Sequence, residues 1–135
     1  MIGTPAQDAF VTANRSAIVT TLRKDGSPTT SLVTFYRDGD DLLFSTSATR
    51  LKAKTLKNDP RLSFCVISQT SSSYVTIEGT GIVETDDIVA KHIALNKAMR
   101  GGEFTPPDGY EQRLKDEGRV IIRVRPGRVS GVVRS

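Results

Sequence analysis

Tryptophan is absent from this chain of 135 residues, and cysteine and histidine occur once each, as Cys65 and His92. One cysteine excludes an internal disulfide framework and a multi-cysteine zinc site. One histidine excludes HExxH chemistry and any multi-histidine metal centre, and no nucleophile triad can be assembled around it. No GxxxxGK[ST] string exists, and Gly79-x-Gly81 lacks the third glycine of a dinucleotide fingerprint. Aromatics make up only 6% of the chain and do not interleave with basic residues, so platforms for stacking bases are scarce. No run approaches the roughly 18 apolar residues of a membrane helix, and residues 1–30 show no secretory leader pattern. The expectation is a cytoplasmic protein with neither a membrane nor a nucleic acid as partner.

The length suits one domain, residues 1–135, and a real core without covalent staples. Charge is unevenly placed. Lys and Arg number 19 against 15 Asp and Glu, an excess of four. Residues 50–61 hold Arg50, Lys52, Lys54, Lys57 and Arg61 against Asp59 alone. That segment carries the whole excess, and the rest of the chain is balanced.

Strand signals dominate. Thr4–Ala13 reads as a short helix capped by Thr4, with Pro5 in its first turn. Ala17–Arg23, Thr29–Tyr36 and Asp41–Thr46 are β-branched or apolar runs separated by Asp-Gly turns, which predicts a three-stranded meander. Residues 49–58 change to a helical period, and Pro60 ends it. Arg61–Ser68 and Tyr74–Glu84 are further strands; Gly79 and Gly81 suggest a bulge or a close backbone approach. Asp86–Met99 reads as a helix capped by Asp86, and Gly109–Glu117 as a shorter one. Val120–Val124 and Arg128–Val133 read as two last strands around Arg125-Pro126-Gly127. Six to seven short antiparallel strands with singly inserted helices predict a mainly β chain: a closed or nearly closed barrel with helices on its rim.

The basic segment carries the chemistry. A strand ends in Ser45-Thr46-Ser47, and a helix then opens with Arg50 and Lys52. A helix start exposes unpaired N–H groups and a partial positive charge, so added hydroxyls and cations make a cradle for phosphate or carboxylate. At about 100° per residue, Arg50, Lys54 and Lys57 share one face, while Lys52 lies on the side of Leu56. Leu56 should face the core, so Lys52 is partly buried and needs a partner, which singles it out as the anion ligand. The competing reading is a solvated basic face.

These strings, LLFSTS followed by TRLKAKTLKNDPRLSFCV and then YVTIEGTGIVE, resemble the pyridoxamine-phosphate-oxidase-like flavin and deazaflavin proteins, in particular their small branch that binds coenzyme F420. The resemblance covers roughly residues 15–133. It implies a split β-barrel of the FMN-binding type, assembled as a homodimer with the cofactor in a groove between subunits. It also implies that Lys52 binds the cofactor phosphate, that Ser45, Thr46 and Ser47 line the phosphate and tail, and that Arg50 lies beside them. Ser31, Val33 and Thr34 then run beneath the ring, and Tyr74 is a polar contact; ordinary barrel packing is the competing reading for these four. The implied activity is hydride transfer from reduced F420 to a flat unsaturated small molecule, with no catalytic side chain assigned. FMN in place of F420 is the alternative; a cofactor carrier without turnover and a nucleic-acid-binding barrel are further ones. True pyridoxamine-phosphate oxidases use a C-terminal Arg-x-His element, and this chain ends without one, which argues against that activity. The haem-utilisation relatives also lean on elements not found here.

Two residues and one cluster are read as structural. Cys65, in an apolar strand, is expected to be a buried thiol. His92, among Ile88, Ile93 and Leu95, is expected to be structural or on the surface. Arg119, Arg123, Arg125, Arg128 and Arg134 either bind an acidic cofactor tail or blunt a strand edge.

Overall fold

A computed structural model describes residues 1–134, the side chain of Leu51 excepted. The elements are α1 (Pro5–Ala13), β1 (Ser16–Leu22), β2 (Pro28–Asp38), β3 (Asp41–Ser47), α2 (Leu51–Asn58), β4 (Arg61–Ile67), β5 (Tyr74–Glu84), α3 (Ile88–Met99), α4 (Tyr110–Asp116) and β6 (Arg119–Val132). All strand pairs are antiparallel, and the six strands close into a barrel in the order β1-β2-β3-β6-β5-β4.

Alternation builds the interior. Ala17 and Val19, Val33 and Phe35, Leu42 and Phe44, Phe64 and Val66, Val75 and Ile77, and Ile122 and Val124 point inward and are buried. Phe35 meets Phe64 edge-on at 5.3 Å, and Phe44 stacks on Phe64 at 5.8 Å. Val11 of α1 and Leu56 of α2 complete this core. Thr4 caps α1 as expected: its hydroxyl accepts from the Gln7 amide and the Gln7 side chain accepts from the Thr4 amide. The buried Thr55 and Thr21 hydroxyls, 2.9 Å apart, fix α2 to β1.

A second layer covers the outside of β3 and β6. His92 and Leu95 of α3 and Tyr110 and Leu114 of α4 are buried there, with Leu43 and Ile121 beneath. An ionic network ties α3 to the barrel. Arg123 binds Glu84 at 2.7 Å, Asp41 at 3.1 Å and Asp38 at 3.2 Å, while Lys91 binds Glu84 at 2.9 Å.

Three expectations change. The last two strands are one continuous β6. Between Ile77/Val129 and Gly79/Pro126, β6 advances three residues for two of β5, so Pro126 sits at a bulge, where its missing N–H costs no regular ladder bond. Gly79 is required there, since a Cβ would run into the Arg125 carbonyl oxygen. Asp86 does not cap α3. Asp87 holds that position in a left-handed conformation (φ 49°) without a side-chain cap, and Asp86 binds Lys91 instead. Cys65 is half-buried and faces outward, because it alternates with the inward Phe64 and Val66.

Candidate functional site

The barrel is split along one seam. β2 pairs with β3 only over Phe35–Asp38, opposite Asp41–Phe44. Its first half, Pro28–Thr34, pairs with β1 alone, and the second half of β3, Ser45–Ser47, pairs with β6 alone. A slot therefore opens between the two strands on the side where α2 begins.

Ladder phase decides which backbone groups face this slot. The Phe35 amide donates to the Arg15 carbonyl, so odd-numbered β2 residues aim their N–H and C=O at β1. Thr30, Leu32 and Thr34 consequently aim theirs at the slot. The Ala48 amide donates to the Gly118 carbonyl on the β6 side, so Ser45 and Ser47 aim theirs at the slot from the other bank. The Ser47 carbonyl takes the Arg50 amide at 3.0 Å, and its hydroxyl lies 2.8 Å from that of Thr49.

Cations gather at the β3 end. Arg50 is the exposed N-cap residue of α2 and makes no side-chain cap. Lys52 is half-buried, Leu56 is buried, and Lys54 and Lys57 are exposed, so the helical face argument holds. Arg119 enters opposite Ser47 on β6. Among the described residues, neither Lys52 nor Arg50 is in an ion pair. Burial, reinforced by the Arg50 and Arg119 charges, holds the Lys52 ammonium below the ordinary lysine pKa. A half-buried ammonium flanked by guanidiniums, at a helix N-terminus with Ser47 and Thr49 hydroxyls nearby, suits a phosphate.

The remaining site residues divide by strand parity. Val33 points into the barrel core and is 8% exposed; Ser31 shares its parity. Both reach the slot region only through the neighbouring backbone, whereas the Thr34 side chain points outward. Thr46 points inward and is 3% exposed, so its side chain is turned away from the slot. Tyr74 is exposed but sits in a row Thr34–Ser16–Ile67–Tyr74 across four strands. At roughly 4.8 Å per strand, that places it about 14 Å around the barrel from Thr34. It does not meet Lys52 within one chain.

Sequence reasoning missed four contributors. Thr30 and Leu32 follow from parity, because Leu32 and Thr34 must lie opposite the inward Val33 and Phe35. Arg119 stands out in the sequence only among five arginines suited to an acidic cofactor tail or a strand edge; its place beside Ser47 depends on register. The fourth, His92, is buried, and its Nε2 lies 2.6 Å from the Ser45 hydroxyl. Of the C-terminal arginines, Arg119 and Arg123 lie where β6 also pairs with β3, and Arg123 is engaged by three carboxylates; Arg125 and Arg128 lie beyond that pairing, where β5 is the only strand partner of β6 among the described residues.

The sequence pattern of pyridoxamine 5'-phosphate oxidase matches residues 4–133. The chain belongs to that family. Among solved structures, one described as an F420 reductase superposes with a TM-score of 0.74 at 26% identity, covering 91% of this chain and 94% of its own. A conserved hypothetical protein from Mycobacterium tuberculosis gives 0.77 at 20% identity, covering 97% and 85%. A heme storage protein from Vibrio cholerae gives 0.71 at 17% identity, covering 98% and 95%. The last two share the fold of the pyridoxamine 5'-phosphate oxidase family. Within that fold, the slot and its cations are the part of this chain suited to a phosphorylated cofactor.

Proposed function

We propose that this chain is an oxidoreductase that binds reduced coenzyme F420 along the β2/β3 slot and passes hydride to a flat, unsaturated small molecule. The observation that carries the reading is Lys52: a half-buried ammonium whose nearest charges are cations calls for an anion, and a cofactor phosphate supplies one. The similarity to an F420 reductase favours the deazaflavin over FMN.

In this reading Lys52, Arg50 and Arg119 hold the phosphate, with the Ser47 and Thr49 hydroxyls beside them. The slot-facing backbone of Thr30, Leu32 and Thr34 offers donors and acceptors to the rim of a planar ring. Bound there, reduced F420 supplies the hydride, and the protein supplies position and a partly dry surface. No side-chain acid is assigned; solvent delivers the proton to the substrate.

The groove is completed by a second copy of the chain. The outer face of β2, β1, β4 and β5 carries Thr30, Leu32 and Thr34, Ser16, Ile18 and Thr20, Ser63, Cys65 and Ile67, and Tyr74 and Thr76. The row of Thr30, Thr20 and Ser63 ends in the exposed Glu78, whereas the other two rows carry no charge, and Leu32 is 67% exposed. Such a face suits a homodimer interface, and in a dimer Tyr74 of one copy can approach the slot of the other.

The test is a fluorescence titration of the purified chain with F420 and with FMN. Micromolar binding of F420 that Lys52→Ala weakens much more than Lys57→Ala is expected. Equal effects of the two substitutions contradict the assignment of Lys52, and binding of neither cofactor rejects the function.

A further inference from the structure

The Ser45–His92 contact lies on the bank of the slot and is not explained by phosphate binding. His92 sits one turn after Ile88, and its Nδ1 lies 2.7 Å from the Ile88 carbonyl oxygen. A carbonyl only accepts, so Nδ1 carries the proton. In a neutral imidazole Nε2 is then bare, and at 2.6 Å it accepts the Ser45 O–H. Burial, aided by the Arg119 charge, lowers the His92 pKa and keeps the ring neutral against the pull of the Ile88 carbonyl and Glu117. The single proton of the Ser45 hydroxyl is thus committed to His92. What remains on its oxygen is lone pairs, on the half-buried outer face of β3 beside the slot.

We propose that Ser45 is a dedicated hydrogen-bond acceptor for an N–H or O–H group on the cofactor ring, and that His92 is the positioning residue that fixes this polarity. This rests on the proposed F420 function. An oxygen whose proton is engaged repels the oxygens of a phosphate, so Ser45 belongs to the ring end of the slot. Ser47, Thr49, Arg50 and Lys52 form the phosphate end. The strand-end hydroxyls, which look alike in sequence, are divided between two tasks by a helix that lies 47 residues away from Ser45.

The experiment has two arms. His92 is the only histidine, so a long-range 1H–15N spectrum of the labelled protein reports its tautomer without ambiguity. Protonation at Nδ1 and a bare Nε2 at neutral pH are expected; an Nε2–H tautomer or an imidazolium overturns the proposal. The second arm titrates variants with F420 and with its ribityl deazaflavin fragment, which lacks the phosphate and tail. Ser45→Ala should weaken both ligands by about tenfold, the loss of roughly one hydrogen bond. Lys52→Ala should weaken only the intact cofactor. His92→Gln, whose amide oxygen can accept the Ser45 proton, should stay near wild type, whereas His92→Leu should match Ser45→Ala. A Ser45→Ala effect confined to the intact cofactor places Ser45 at the phosphate and overturns the assignment, as does equal loss in His92→Gln and His92→Leu. Failure of the wild-type chain to bind either F420 or FMN fails the functional reading and this proposal together. Wild-type binding with no Ser45 effect fails this proposal alone.

Discussion

Lys52 has Arg50 and Arg119 as its nearest charges, so its protonated form is held at a cost until an anion arrives. A bound phosphate reverses that balance and raises the Lys52 pKa, so binding and protonation are linked. Affinity for the phosphorylated cofactor should therefore fall as pH rises through the free-state pKa, which lies below the ordinary 10.5 of a lysine. Lys52→Arg stays charged throughout. Dissociation constants measured across the alkaline range should drift upward for the wild type and stay flatter for Lys52→Arg; parallel curves would show that another group titrates. His92 links to stability in the opposite range. Its folded pKa lies below the ordinary value of about 6.5, so in mildly acid solution the unfolded chain binds a proton that the folded one does not. Stability should decline as pH falls below that value, and denaturant melts of His92→Gln should show less of the decline. Lys52 was legible in the sequence because helical periodicity alone puts it beside Leu56. His92 was not, because its partner Ser45 comes from a distant strand, and nothing in a lone histidine announces that pairing.

The elements show where local signals suffice. Thr4, Pro5 and Gln7 specify the start of α1 by themselves, and the Asp-Gly turns specify the meander. β6 is different. Arg125-Pro126-Gly127 reads as a break, yet the chain continues as a strand because the β5 partner absorbs the irregularity at Gly79. The two β5 glycines separate cleanly in what a methyl group would meet. At Gly79 the obstacle is the Arg125 backbone carbonyl, part of the ladder itself. At Gly81 the nearest atoms are side-chain ends, Leu62 Cδ2 at 2.7 Å and Leu56 Cδ2 at 3.0 Å, which can rotate. Gly79→Ala should cost about 2–3 kcal/mol and Gly81→Ala about 1 kcal/mol, in line with overpacking against rigid and adjustable neighbours. Urea unfolding ranks the two. Gly81→Ala also presses on Leu56 of α2, so it should loosen cofactor binding at Lys52, whereas Gly79→Ala should lower stability with little change in affinity of the folded protein.

For the molecule as a whole, the uneven charge now has a structural reading. Lys52 of the basic segment is half-buried, Arg50 stands at the N-terminus of α2, and Lys54, Lys57 and Arg61 are exposed. The outer sheet face is the complement of that basic end. Two of its rows hold only hydroxyls, a thiol and apolar side chains; they run through Leu32, Ile18, Cys65 and Thr76, and through Thr34, Ser16, Ile67 and Tyr74 to Val132. If two copies associate through this face, a cation introduced there must be buried against its neighbours without a counter-charge. Thr76→Lys and Val132→Lys are suited to this test because both side chains point outward and are at least partly exposed, so the barrel interior is untouched. Light scattering should report a dimer for the wild type and a monomer for the double variant, with an unchanged strand signal by circular dichroism. The monomer should also bind F420 at least tenfold more weakly, since one chain provides only the slot side of the groove. A double variant that remains dimeric moves the interface elsewhere on the barrel. A monomer with wild-type affinity shows that the β2/β3 slot is sufficient by itself and removes Tyr74 of the second copy from the site.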